Sequence, residues 1–195
     1  MNHDERATVI SDWWNTHLRA RHADDVTIWQ RSRAREISAR LRRAQTVEAL
    51  LVPEVHELSA RLFRGRDLAA RVQQIADLTR FLAHVRKDHP ETLARRMGRV
   101  AAENARKRYS KDGKDKETRP NDPFALRFER MIRAEDFELS DQIIRLLPLV
   151  EHSCNVGRLG ADFLNWTDRK KSDWCFDYFK KQNDRQDIGS GEDKT

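Results

Sequence analysis

"VHELSARLFRGRDLAARVQQIADLTRFLAHV", residues 55–85, keeps Leu58, Leu62, Phe63, Leu68, Val72, Ile75, Leu78, Phe81 and Leu82 at helical spacing, with a turn at RGRD. Apolar residues that recur every three to four positions bury one face of a helix and leave the other wet, so this stretch reads as core. The rest of the chain supports the same class. Seven glycines and five prolines in 195 residues, few alternating β-branched runs, and long stretches of Arg, Leu, Ala and Glu argue against strands. The expected fold is all-α: an elongated helical protein in two parts.

Upstream, a helix is expected to begin near Ser11 as N-cap and to bury Trp13, Trp14 and Leu18. Residues 25–51, "DVTIWQRSRAREISARLRRAQTVEALL", carry Trp29, Ile37, Leu41, Leu50 and Leu51 as apolar positions, with Thr46 and Pro53 as break points. Downstream, the core helix ends before Pro90, and Thr92 caps another through Leu93, Met97 and Val100. The composition then shifts. Residues 105–123, "ARKRYSKDGKDKETRPNDP", hold seven basic and four acidic residues and two prolines, the signature of a linker or loop. Beyond it, helices are expected from about Pro123 to Ala134, through Leu139, Ile143, Ile144, Leu146, Leu147 and Val150 with a break near Pro148, over "GRLGADFLNW", and over "KKSDWCFDYFKK". Their short connections suggest a small antiparallel bundle. The expected organisation is an N-terminal helical part (1–104), the linker (105–123), a C-terminal bundle (124–181) and a polar, disordered tail (182–195).

No run of 18 apolar residues exists, and "MNHDERATVISDWW" has neither the basic start nor the apolar middle of a signal peptide, which places the chain in the cytoplasm. Cys154 and Cys175 form no CxxC pair or disulfide framework and read as reduced packing residues. Catalytic patterns are missing too. "HELSARL" has Ala60 where a zinc-protease helix needs its second histidine, and His84 and His89, without further ligands, read as solvent-facing. There is no glycine-rich phosphate loop, and the scattered carboxylates read as intrahelical ion pairs. Neither an enzyme nor a cofactor or metal is expected.

The positive signals are of one kind. Lys and Arg number 38 against 32 acidic residues, a net charge of +6, and 28 of the 38 are arginine, whose planar fork suits phosphate. Residues 31–43 alone contain six arginines and one glutamate. Further clusters stand at Arg95, Arg96 and Arg99, at Arg127, Arg130 and Arg133, and at Arg169, Lys170 and Lys171. Trp29, Tyr109 and Trp166 lie beside such clusters and could stack bases, though core roles suit them better. In "RFERMIRAED", residues 127–136, a helix at 100° per residue sets Arg130 and Arg133 about 60° and about 120° behind Arg127, with Phe128, Met131 and Ile132 ahead of it. The arginines face out together while the apolar side packs; Glu129 borders Arg133.

The order "LRRA" (41–44), "EVHEL" after Pro53, "MGR" (97–99), "RFERMIRA" (127–134) and "LLPLVEHSCNVGRLGADFLNW" (146–166) before "DRKKSDW" resembles the CasB family, the small subunit of the type I-E CRISPR surveillance complex Cascade. The resemblance covers most of residues 40–180. It implies a non-enzymatic, all-helical protein in two copies, touching the backbone and large subunits, beside the guide RNA and target DNA and helping to hold the displaced strand. Carried over residue by residue, the implied nucleic-acid contacts are Arg42, Arg43, Arg99, Arg127, Arg130, Arg133, Arg169 and Lys170. Such a role needs positive charge along backbones rather than base-reading geometry. The competing class is a free-standing helical DNA-binding regulator with a helix-turn-helix at "NVGRLGADFLNW", whose apolar spacing nevertheless suits core.

Overall fold

The structure, a computed structural model, describes residues 1–63, 69–112 and 123–183; the side chains of 108–112, 136, 137 and 181–183 lie outside that description. Among the described residues, five α-helices precede a two-residue strand: α1 (His3–His17), α2 (Ile28–Arg43), α3 (Thr46–Ala49), α4 (Pro53–Leu62) and α5 (Val72–Leu82), then β1 (Lys87–Asp88). They are followed by α6 (Leu93–Asp112), α7 (Pro123–Arg133), α8 (Asp136–Leu146), β2 (Ser153–Cys154), α9 (Val156–Phe163) and α10 (Asp168–Asn183). The all-α expectation holds. β1 and β2 form one parallel bridge, Lys87 opposite Ser153 and Asp88 opposite Cys154.

Local signals explain most starts and stops. α1 begins at His3, not near Ser11, because Asn2 forms a capping box: its side chain accepts from the Glu5 N–H while Glu5 accepts from the Asn2 N–H. α2 is started the same way by Thr27 and Gln30 of "TIWQ". Pro53 opens α4 at a position where its missing N–H costs nothing. Pro148 ends the α-helical run, and the chain continues as a 3-10 turn over Leu147–Val150. α6 runs on to Asp112, into the segment expected as linker, while 113–122 lie outside the described residues, as do the RGRD turn, Leu68 and tail residues 184–195.

One continuous core joins residues from Ile10 to Tyr178, including Leu58, Ile75, Leu78, Phe81, Met97, Met131, Ile143, Leu159 and Trp174. It draws on elements from along the chain, with α1 packed against α9 and α6 against α10. Both contacts are close enough to need glycine. A Cβ on Gly157 would meet the Ala7 carbonyl oxygen at 2.3 Å, and one on Gly98 would meet the Tyr178 carbonyl oxygen at 1.9 Å. The buried indoles of Trp13 and Trp14 donate to the carbonyls of Glu54 (2.7 Å) and Leu82 (3.2 Å), tying α1 to both flanking helices. Trp29, expected as apolar packing, is instead 70% exposed in the first turn of α2, and Ile28 beside it and Leu51 before α4 are exposed as well. α9 is buried at seven of its eight positions and leaves only Arg158 exposed, so it has no free face to enter a DNA groove.

Candidate nucleic-acid interface

The arginines of α7 sit as the helical spacing requires. Phe128 and Met131 are buried and Ile132 packs against the core, while Arg127, Arg130 and Arg133 are exposed. Arg133 pairs with Glu129 at 2.6 Å across one turn. Arg127 and Arg130 have no carboxylate within 4 Å among the described residues, and neither do Arg42, Arg43 and Arg169, all exposed. Arg42 is steadied by its own helix, its Nε donating to the Ser38 carbonyl at 3.2 Å.

Other basic residues carried over from the resemblance are neutralised by the fold. Arg99 is bracketed by Glu91 (3.0 Å) and Glu103 (3.8 Å). Its neighbour Arg96 is buried and reaches the Val150 carbonyl. Lys170 contacts Asp162 and Asp173, both at 3.3 Å. Burial pulls the Lys170 ammonium down, but Asp162 and Asp173 more than offset it, so its pKa lies above the ordinary lysine value. Asp162 is itself buried, at 5% exposure, and also accepts from the Trp174 indole (2.7 Å) and contacts His3 (2.7 Å). It stitches α1, α9 and α10 together. Within residues 31–43, Arg33 pairs with Glu54 at 2.6 Å, while Arg31 and Arg40 donate to the carbonyls of Ala23 and Leu51.

A further basic site comes from residues far apart in the chain. Arg21, in a 3-10 turn after α1, and Arg35 and Arg42 of α2 meet Arg86 around a cleft of about 340 Å³ that His22, His84 and His152 also line. No carboxylate lines it, and none of these four arginines has one within 4 Å among the described residues. Arg21 is 5% exposed; its Nη1 donates to the Ser38 hydroxyl at 2.6 Å and its Nη2 to the Val85 carbonyl. Burial, then Arg42 and Arg86, bring its pKa down to about 10. His84, expected to face solvent, is half-buried, and burial followed by Arg42, His152, Arg21 and Arg80 lowers its pKa to about 4. Burial and the surrounding arginines lower His22 and His152 as well, the His152 shift being opposed by its hydrogen bond to the His84 carbonyl.

His152 reaches this position through local strain. It and Glu151 take left-handed φ values of 56° and 57°, a conformation that side chains with a Cβ rarely adopt. The turn is held by the His152 N–H on the Leu147 carbonyl (2.7 Å), the Arg86 N–H on the His152 carbonyl (2.7 Å) and the His152 Nδ1–H on the His84 carbonyl (3.0 Å). The last bond fixes the proton on Nδ1, because a carbonyl can only accept.

The side chain of Tyr109 lies outside the described residues, and Trp166 is half-buried edge-on against Trp174, 5.1 Å between ring centroids. Cys154 is buried, which pushes its thiol up to about 12, far from a nucleophile's range.

Fold and charge thus define a small, basic, all-α protein whose polar clusters are rich in arginine. Among the described residues, no helix is long and apolar enough to cross a membrane, and no group of three His, Cys, Asp or Glu could hold a metal. Residues 38–179 match the family model described as CRISPR-associated protein Cse2, and the chain belongs to that family. Cse2 is the small subunit of type I-E Cascade, CasB, so the chain is a structural subunit of a multi-subunit CRISPR complex. No curated protein and no solved structure gives a match.

Proposed function

We propose that this subunit binds nucleic acid without sequence preference and without catalysis, stabilising the guide RNA–target DNA R-loop and the displaced strand inside Cascade in the cytoplasm. The observation that carries this reading is a set of exposed arginines free of carboxylate partners among the described residues: Arg42, Arg43, Arg127, Arg130 and Arg169. Unneutralised guanidinium groups on helix faces attract phosphates and read no bases, which suits a complex whose sequence recognition lies in guide pairing. Arg99, Arg133 and Lys170 belong to the same surface reading, but their ion pairs give them the weaker share. The partners are the guide RNA, the target DNA including its displaced strand, the backbone and large subunits, and a second copy of this chain.

The test is reversal of Arg127 and Arg130 together to glutamate in the reconstituted complex. The helix stays folded, because both side chains point into solvent, and protection of the displaced strand falls about tenfold or more, with the larger loss at low salt. Unchanged protection at low salt overturns the reading.

A further inference from the structure

The cleft of Arg21, Arg35, Arg42 and Arg86 differs from an exposed arginine stripe in three ways. It is concave. It contains a cation that is nine-tenths buried and has only neutral partners. And it gathers three imidazoles whose charge depends on what else is in the cleft. A buried guanidinium with no counter-charge is costly unless an anion completes its surroundings, and here the Arg21 Nε is buried with no hydrogen-bond partner among the described residues. The lining contains no Trp, Tyr or Phe, so nothing in it offers an aromatic platform for a base. The volume of about 340 Å³ is on the order of ten waters, enough for a phosphate and its remaining hydration.

We propose that this cleft is a phosphate-binding seat, occupied, on the reading that the subunit binds nucleic acid, by a backbone phosphate of a single strand. Arg35, Arg42 and Arg86 supply charge and donors suited to phosphate oxygens, while Arg21, whose terminal nitrogens are taken by Ser38 and Val85, adds its charge from behind. His152, with Nδ1–H fixed on the His84 carbonyl, keeps Nε2 available, an atom that becomes a donor once the ring is protonated. An anion in the seat opposes the field that keeps the imidazoles neutral, so binding takes up protons and tightens as pH falls. The charged and titratable groups that set this response are Arg21 and His22 after α1, Arg35 and Arg42 of α2, Arg80 of α5 acting on His84, Arg86 beside His84, and His152 before β2. Arg21, His22 and Arg35 lie N-terminal to the residues matched by the family model.

The test follows the imidazole C–H signals of the full chain by NMR while sodium pyrophosphate is added at constant ionic strength, with sodium chloride as reference. The signals of His22, His84 and His152 move with pyrophosphate and not with chloride, and the affinity rises about tenfold between pH 8 and pH 6. Replacing two of the exposed arginines, Arg35→Ala with Arg86→Ala, weakens pyrophosphate at least tenfold, whereas Arg61→Ala on α4 leaves it unchanged. A single-stranded oligonucleotide displaces pyrophosphate and moves the same three signals. If pyrophosphate binds but the oligonucleotide does not compete, the polynucleotide source is overturned and the seat serves a free phosphate ester. If no histidine signal moves, or chloride moves them equally, the seat itself is overturned. Binding of pyrophosphate by the Arg127→Glu, Arg130→Glu protein separates this outcome from that of the wider function, because α7 contributes nothing to the cleft.

Discussion

Two basic regions of the molecule meet opposite fates. Around Asp162, Lys170 is drawn onto a buried carboxylate that also holds Trp174 and His3, and the charge becomes part of the packing. Around Arg21, four guanidinium groups and three imidazoles converge with no carboxylate in the lining, and the charge stays open. Basic density alone therefore does not mark a binding surface. What separates the two is whether an acid stands within reach: for Lys170 the tertiary fold delivers Asp162 of α9 and the helix itself supplies Asp173.

The strongest way to break the comparison is to remove Asp162. Asp162→Ala leaves the buried Trp174 N–H without its acceptor and the Lys170 ammonium with Asp173 alone, so stability falls by about 3 kcal/mol. Urea unfolding at pH 7.5 measures it. A loss below about 1 kcal/mol would show that water replaces the carboxylate at little cost and that the seam is not the structural counterpart of the cleft.

The helices of this fold were legible where one face alone decides their position. α5 and α7 follow their apolar spacing, and the outward set of Arg127, Arg130 and Arg133 follows from the same angle. The start of α1 was misplaced because Ser11 and Asn2 are both acceptable caps, and only Asn2 has Glu5 three residues on to close the box. The exposure of Trp29 was not legible, since an indole has the same composition inside or outside the core. The cleft was invisible for another reason. Arg21, Arg42, His84 and His152 come from four separate segments, and their convergence depends on the packing of α2 against α5 and on the paired left-handed residues before β2. Arg42 could be named from the sequence, but its surroundings could not.

The open cleft has its own signature in acid. His84 is kept neutral in the folded protein down to about pH 4, whereas the unfolded chain takes up the proton near 6.5. Above 6.5 both states are neutral and stability is full; as pH falls from 6.5 toward about 4 the unfolded state gains the proton first, so stability drops. His84→Gln removes this linkage. The difference in unfolding free energy between pH 7.5 and pH 5.0 is expected to be smaller in the variant than in the parent protein, with the other titrating groups common to both. Equal differences would mean that the cleft does not suppress His84 ionisation.

The smallest expected effect lies between the two extremes, on α7, where Arg133 is half-way neutralised by an exposed partner. Glu129 and Arg133 stand at 50% and 77% side-chain exposure, and an exposed pair one turn apart stabilises a helix by at most about 0.5 kcal/mol. Glu129→Gln therefore leaves stability nearly unchanged while releasing a third cation beside Arg127 and Arg130. If all three arginines face phosphate, single-strand affinity at low salt rises about twofold, and the salt dependence steepens by about 0.7, the increment of one further phosphate contact. A rise in affinity with no change of slope would instead mean that Glu129 repels the strand from a distance and that Arg133 makes no contact of its own. No change in either quantity would restrict the working face of α7 to Arg127 and Arg130, the two arginines that, like those of the cleft, have no acid within reach among the described residues.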